Sequence, residues 1–345
     1  MSSTEIPNAR GFAGLLNLGE AHHHTVFAAD FALTAQQQEE LRRRLSSLPT
    51  QVHFLTLGTS PEQLLANLRQ TGIPLDQAYV SMQVLTSSHT GFDVSRAVFK
   101  SIRRGDYTRL ELPCQELGFS PRHADALLKV VSEADYQEQD TLSELFFSLL
   151  EKQSPYRIEV QTENAQLVIE DFRPWWQLGG RLRTGEIRIL PGGEVAYTGD
   201  SVNGTLTIDG ALLATPTRPE AVPRAAALGA LSSRLAAERP QLRIENGHIV
   251  DIQSAGKVAD ELRSLFDAPA YRRLTEVGVS FNRACASFTH DWPASSNEGR
   301  PGVHVAVGGD PEAGGDAHAP MVHVDLMCAR TSVWVNGELF LRTEP

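Results

Sequence analysis

Apolar positions follow two different rhythms along this chain, and the change falls near its middle. In the first 150 residues, helical spacing alternates with short apolar runs. Residues 36–48 set leucines among charges at a spacing that predicts a helix. Residues 52–57 (Val-His-Phe-Leu-Thr-Leu), closed by Gly58, predict a buried strand. Ser60-Pro61-Glu62 then reads as a helix start, with serine as cap and proline in the first turn, leading into 63–70. A second strand is predicted over 79–85, and helices over 121–133 and 141–152. Strands alternating with helices predict a small α/β domain with a parallel sheet, assigned to residues 1–153.

Ser154-Pro155 marks the boundary. Beyond it, short alternating runs separated by glycine turns predict strands at 157–161, 166–169, 186–190, 193–197 and 204–208. The proline- and alanine-rich stretch 215–240 reads as a linker plus a helix over 225–238. Residues 242–252 form a hairpin around Asn246-Gly247, the strongest short hairpin signal. Helical pieces follow at 257–266 and 269–275. The chain then finishes in strands at 303–307, 322–327, 332–335 and 339–341, with Asn336-Gly337 as a second turn. The second domain, 154–345, is therefore expected to be mainly antiparallel β, and the whole chain α/β (α+β).

Composition narrows the function. Hydrophobic residues make up 41% and charged residues 21% of 345, which suits a globular protein. The net charge of -11 argues against a nucleic-acid or anionic-membrane partner, because both require a basic face. Arg42-Arg43-Arg44 sits within a glutamate-rich helical pattern and reads as a solvated face. No apolar run approaches the ~18 residues of a membrane span, and the first residues do not read as a signal peptide. Cys114, Cys285 and Cys328 are odd in number and far apart, so neither a disulfide framework nor a CxxC zinc site is implied, and a cytoplasmic setting fits. Neither GxGxxG nor GxxxxGK[ST] occurs, leaving a nucleotide site without support.

Candidate chemistry concentrates late in the chain. In His323-Val324-Asp325 the two polar side chains of a strand project to one face. A buried histidine–aspartate pair is costly unless hydrogen-bonded or metal-bound. His304 lies in a second such run, Gly302-Val-His-Val-Ala-Val-Gly308, 19 positions earlier, and antiparallel neighbours would bring the imidazoles together. Glu194 follows Pro191-Gly192-Gly193 and by itself reads as a surface acid on a turn; Glu276 enters an apolar β-run. Together these residues offer three carboxylates and two imidazoles, a suitable set for one or two ions of Zn²⁺, Mn²⁺, Co²⁺ or Fe²⁺. Elsewhere, His22-His23-His24 reads as a polar helix start, and His290-Asp291 and His318 as exposed loop residues. Cys285 and Cys328 read as buried inert thiols. Trp175-Trp176 suits either a cleft wall or core packing.

These runs, in this order, resemble the aminopeptidase T-like (M29) metallopeptidases. The resemblance is carried by Leu190-Pro-Gly-Gly-Glu194-Val195 and Asp200-Ser-Val-Asn-Gly-Thr-Leu206, preceded by Tyr156-Arg-Ile-Glu-Val160 with Thr162. It continues through the hairpin Ile244-Glu-Asn-Gly-His-Ile-Val250, Glu276, the His304 strand and the His-x-Asp strand. It implies that Glu194, Glu276, His304, His323 and Asp325 are metal ligands, and that Glu276 or Glu194 doubles as general base. It also implies a peptide or small amide substrate and a homodimer. Three departures from the pattern are visible. No tyrosine occurs over 305–315, the stretch between His304 and His323 is short, and so is the N-terminal portion. These leave a catalytically inactive peptide-binding protein as an alternative. A ring-opening, single-Fe²⁺ dioxygenase of dihydroxypyridines in the same superfamily shares the His-x-Asp strand but has histidine at the Glu276 position, which leaves a mononuclear Fe(II) oxygenase as a further reading.

Overall fold

The computed structural model describes residues 11–15, 23–74, 79–85, 94, 97, 110–114, 124–170, 174–181, 187–189, 191–197, 201–217, 219–254, 256–285, 297–309 and 322–343. The chain divides into two compact units: Met1–Asp140 with Gly179–Gly192, and Thr141–Leu178 with Gly193–Pro345. No helix among the described residues is long and apolar enough to cross a membrane.

The first unit is built on a parallel five-stranded sheet. Its strands are β1 (His23–Ala29), β2 (Thr50–Thr56), β3 (Tyr79–Leu85), β4 (Leu110–Cys114) and β8 (Ile187–Ile189), in the order β2-β1-β3-β4-β8. Alternation sends Val26 and Ala28 of β1, and Val80, Met82 and Val84 of β3, to one face, where they pack with Leu57, Leu64 and Leu68. Leu64 and Leu68 come from helix Pro61–Gln70, whose cap is the predicted Ser60: its hydroxyl accepts from the Gln63 amide at 3.2 Å. Helix Ala35–Leu45 starts with a reciprocal capping box between Thr34 and Gln37. Helices Ala124–Glu133 and Tyr136–Glu151 lie where sequence spacing predicts them, residues 121–123 being outside the described part.

The histidine triplet corrects the sequence reading. His23 and His24 begin β1 and are buried there, rather than opening a helix; His22 is outside the described residues. The β-rich run Thr25-Val26-Phe27 that follows draws them into a strand flanked on both sides by β2 and β3.

The second unit holds two antiparallel sheets. The seven-stranded sheet has the order β13-β12-β10-β6-β5-β17-β18. Its members are β5 (Arg157–Thr162), β6 (Ala165–Glu170), β10 (Val202–Thr207), β12 (Gln241–Glu245), β13 (His248–Gln253), β17 (Ser332–Val335) and β18 (Glu338–Arg342). The six-stranded sheet has the order β11-β16-β15-β14-β9-β7, from β7 (Pro174–Leu178), β9 (Glu194–Tyr197), β11 (Leu212–Pro216), β14 (Leu274–Ser280), β15 (Gly302–Gly308) and β16 (Val322–Cys328). One apolar cluster unites them: Ile158, Val160, Leu167 and Ile169 from the first sheet meet Val277, Val279, Val305, Val324 and Leu326 from the second. Each such fully buried side chain contributes roughly 1.5–3 kcal/mol. Both asparagine-glycine turns close hairpins, with Asn246 and Asn336 each at φ 50°.

Two further expectations are corrected. Of the stretch 215–240, the helix expected over 225–238 is present as two helices, Val222–Gly229 and Ser232–Glu238, while the part expected to be linker holds the end of β11. Ala225 and Leu228 of the first helix are buried. Residues 269–275 are a single 3₁₀ turn, Pro269–Tyr271, followed by β14 from Leu274, because the β-branched run beyond wins over a helix of that length.

Candidate metal centre

The six-stranded sheet has two unlike faces. One carries the valines of the core. On the other, register brings the chemistry together: Ser280 lies opposite Glu194, Gly278 opposite His304, Ala306 opposite Asp325, and Gly308 opposite His323. Directly opposed residues share a face, as do residues two apart, so Glu194, Glu276, His304, His323 and Asp325 all project to one side of four adjacent strands. Their donor atoms form two groups, Glu194–Glu276–His304 and Glu276–His323–Asp325. Glu194, read locally as a surface acid, is only 3% exposed, because it opens a strand inside the sheet instead of ending a turn.

The distances are short and share a pattern. His304 Nε2 lies 3.1 Å from Glu194 Oε1 and 3.6 Å from Glu276 Oε1. His323 Nε2 lies 3.0 Å from Asp325 Oδ1 and 3.7 Å from Glu276 Oε2. Glu276 therefore offers one oxygen to each group. Ligands about 2.1 Å from one ion sit about 3.0–3.4 Å from each other, so these separations suit donors around a common cation.

Three observations test whether the residues fit metal ions. First, Glu194 Oε1, both ring nitrogens of His304 and both Asp325 oxygens are buried without a hydrogen bond of normal geometry. Buried acceptors left so cost energy unless something else satisfies them. Second, His323 Nδ1 is 2.9 Å from the Gly309 carbonyl, which can only accept. That contact makes Nδ1 the donor and turns Nε2 toward Asp325 and Glu276, the arrangement by which metal-ligating histidines are oriented. Third, a Cβ on Gly278 would lie 2.1 Å from His304 Cε1 and 2.3 Å from Glu194 Oε1. Only glycine leaves room for those two side chains to meet. The donor set fits one or two divalent ions.

Electrostatics agree with strong coupling. Burial pushes the Glu194 carboxyl up to about 7, opposed by His304 and reinforced by the charges of Glu276 and Asp325. Burial alone would lower the His304 imidazole, but Glu194 and Glu276 overcome it and hold the group well above its ordinary value. Burial would raise Asp325; His323 and His304 outweigh it and keep the acid below its usual range.

Several contributors escaped the sequence reading. Gly278 was visible only as part of Glu-Val-Gly-Val, and no local signal marks it as the space for two ligands. Strand β11 places Leu213 opposite Asp325 and Thr215 opposite His323, yet its sequence merges with the supposed linker. Leu213, Ala211 and Met327 form a small apolar cluster on the same face. None of the other candidates belongs to either donor group, and some lie outside the described residues. His23 and His24 belong to the first unit, where His24 Nδ1 approaches His53 Nε2 at 3.0 Å. Cys285 and Cys328 are buried thiols, the former pushed up to about 12 by burial. His290, Asp291, His318, residues 310–315 and the side chains of Trp175 and Trp176 lie outside the described residues.

A family profile described as "Crocagin biosynthetic protein CgnE/B" matches residues 191–334, fewer than half of the chain but enclosing all five donor residues. No curated protein matches the chain. Among solved structures, 2,5-dihydroxypyridine dioxygenase from Pseudomonas putida KT2440 is similar at TM-score 0.55 and 15% identity, over 94% of this chain and 92% of that one. Wild-type AmpT from Thermus thermophilus gives TM-score 0.47 and 16% identity, over 93% and 91%. The dioxygenase likeness establishes a shared fold over nearly the whole chain.

Proposed function

We propose that the protein is a metal-dependent hydrolase resembling an aminopeptidase, acting on a peptide or an amino-acid-derived amide. The observation that carries this reading is the division of Glu276 between two donor groups, its Oε1 facing His304 and its Oε2 facing His323. Glu194, His304 and Glu276 would hold one ion, and Glu276, His323 and Asp325 a second. When bound, such ions lower the pKa of water and stabilise a developing oxyanion. The chain's own part is to orient and to move a proton. Gly309 fixes the His323 ring, Gly278 admits Glu194 and His304, and the dry sheet face strengthens every charge contact. Glu276, the most exposed of the five side chains, is the acid placed to take a proton from incoming water; Glu194 is the other carboxylate suited to that role. A homodimer in the cytoplasm accompanies this proposal, on the strength of the family resemblance and of cysteines that are odd in number and far apart in sequence.

A second reading is a peptide-binding protein without turnover. The absence of tyrosine over 305–315 favours it. An oxygenase is less favoured, because each donor group holds one imidazole and two carboxylates instead of the reverse. Elemental analysis of chelator-free protein, with release of p-nitroaniline from leucine-p-nitroanilide, tests the proposal. One to two equivalents of metal with chelator-sensitive release support hydrolysis. Metal without release turns the reading to peptide binding, and less than about 0.2 equivalents after reloading rejects a metal centre.

A further inference from the structure

Ser280 lies on the metal-binding face, and none of the contacts among the five donors uses it. Its side chain is 0% exposed, and its Oγ has no hydrogen-bond partner. A buried hydroxyl left so costs stability, and most such groups in folded proteins are satisfied. The strand offers it no relief, because β14 lies between β9 and β15 and its backbone is paired on both edges.

Register decides what the hydroxyl can reach. Across β15 the opposite residue is Gly302, and two places back along β14, on the same face, is Gly278; neither carries a side chain. Across β9 the opposite residue is Glu194. The Phe281 amide donates to the Gly193 carbonyl at 2.7 Å. In an antiparallel ladder that bond makes Ser280 and Glu194 a pair without hydrogen bonds between their own backbones, the kind whose side chains stand closest, with Cα atoms about 4.5 Å apart. Glu194 Oε1 is turned to His304 and is itself buried without a hydrogen bond of normal geometry. An unspent donor and a carboxylate in need of donors are therefore neighbours. The other donor group already has its support, since the Gly309 carbonyl holds the His323 ring. His304 has no such holder, both its ring nitrogens being without a bond of normal geometry.

We propose that Ser280 is a positioning residue of the metal centre: its hydroxyl donates to the Glu194 carboxylate when that acid holds an ion. A ligating carboxylate keeps acceptor capacity to spare, and a donor to it fixes which oxygen faces the cation. The Glu194–Glu276–His304 group then draws part of its affinity from an oxygen that does not touch the metal. This role rests on the metal-centre reading and not on hydrolysis.

The test is zinc titration of the full-length protein against a competing fluorescent chelator, for the wild type, Ser280→Ala and Ser280→Thr, with thermal unfolding of each in the metal-free state. Ser280→Ala should weaken binding of one ion by about 10–100-fold. Its metal-free thermal midpoint should be unchanged or higher, since the variant removes an unpaired buried hydroxyl. A residue that served packing alone would show the opposite, a lower midpoint with unaltered affinity. Ser280→Thr, which keeps the hydroxyl, should recover most of the lost affinity. Unchanged affinity in Ser280→Ala, a fall in its metal-free midpoint, or affinity in Ser280→Thr as low as in Ser280→Ala would overturn the assignment while leaving the metal centre in place. Wild-type protein that takes up no zinc would remove the centre and this role together.

Discussion

Gly278 lies directly across from His304, and the room left by its missing side chain is where His304 meets Glu194. The glycine is thus part of the centre although it contributes no ligand. Replacing it with alanine would place a methyl carbon within 2.3 Å of a Glu194 oxygen. We expect Gly278→Ala to reduce metal affinity by about 10–100-fold, the range typical of misplaced ligand support, while the fold survives. Competition against a fluorescent zinc chelator, with circular dichroism as the control, measures it. Unchanged affinity would show that the two side chains need not meet.

Glu276 faces both donor groups. Glu276→Ala should therefore lower stoichiometry as well as affinity, where Glu194→Ala and Asp325→Ala each strike mainly one group. Titration of the three variants followed by elemental analysis separates these outcomes. Identical loss in all three would mean that the five residues serve a single ion.

Metal-free protein should lose stability as pH rises through neutrality. Glu194 is raised from 4.5 to about 7 in the folded state, so its contribution is present below the unfolded value and lost as pH climbs through 7. His304, raised well above 6.5, acts in the same direction at higher pH. The Glu194 part is at most ~3 kcal/mol. Thermal unfolding of chelator-treated protein from pH 5 to 8 should show a decline, smaller in Glu194→Gln. Since ligands must shed protons, metal affinity should rise over the same interval. A flat profile identical in both proteins would contradict the coupling.

Cys285 and Cys328 should be unreactive in the native state, because burial holds both thiols far above neutral pH. Labelling with Ellman's reagent at pH 8 should reach these two only after denaturant is added, as read by peptide mass mapping. Prompt native labelling at Cys285 would contradict its burial.

Much of this architecture is legible in the sequence for a physical reason. The hairpins at Asn246-Gly247 and Asn336-Gly337, the Ser60 cap and the alternating valines of β15 and β16 are all local patterns, and local sterics decide them. The five candidate donors could be named because three lie on two self-announcing strands and the other two follow in a family-like order. What stayed hidden depends on partners distant in sequence. Glu194 looks like a turn acid until β14 lies beside it, and β11 looks like the start of a linker until β16 pairs with it. The strand at His23 went unread because its neighbours, β2 and β3, decide its burial.

Four of the five donor side chains are at most 7% exposed, whereas Glu276 keeps 19% of its surface open. Among the five, the side chain most open to solvent is also the one carboxylate that both donor groups share. Openness to solvent and the linkage between the two donor groups therefore fall on a single side chain.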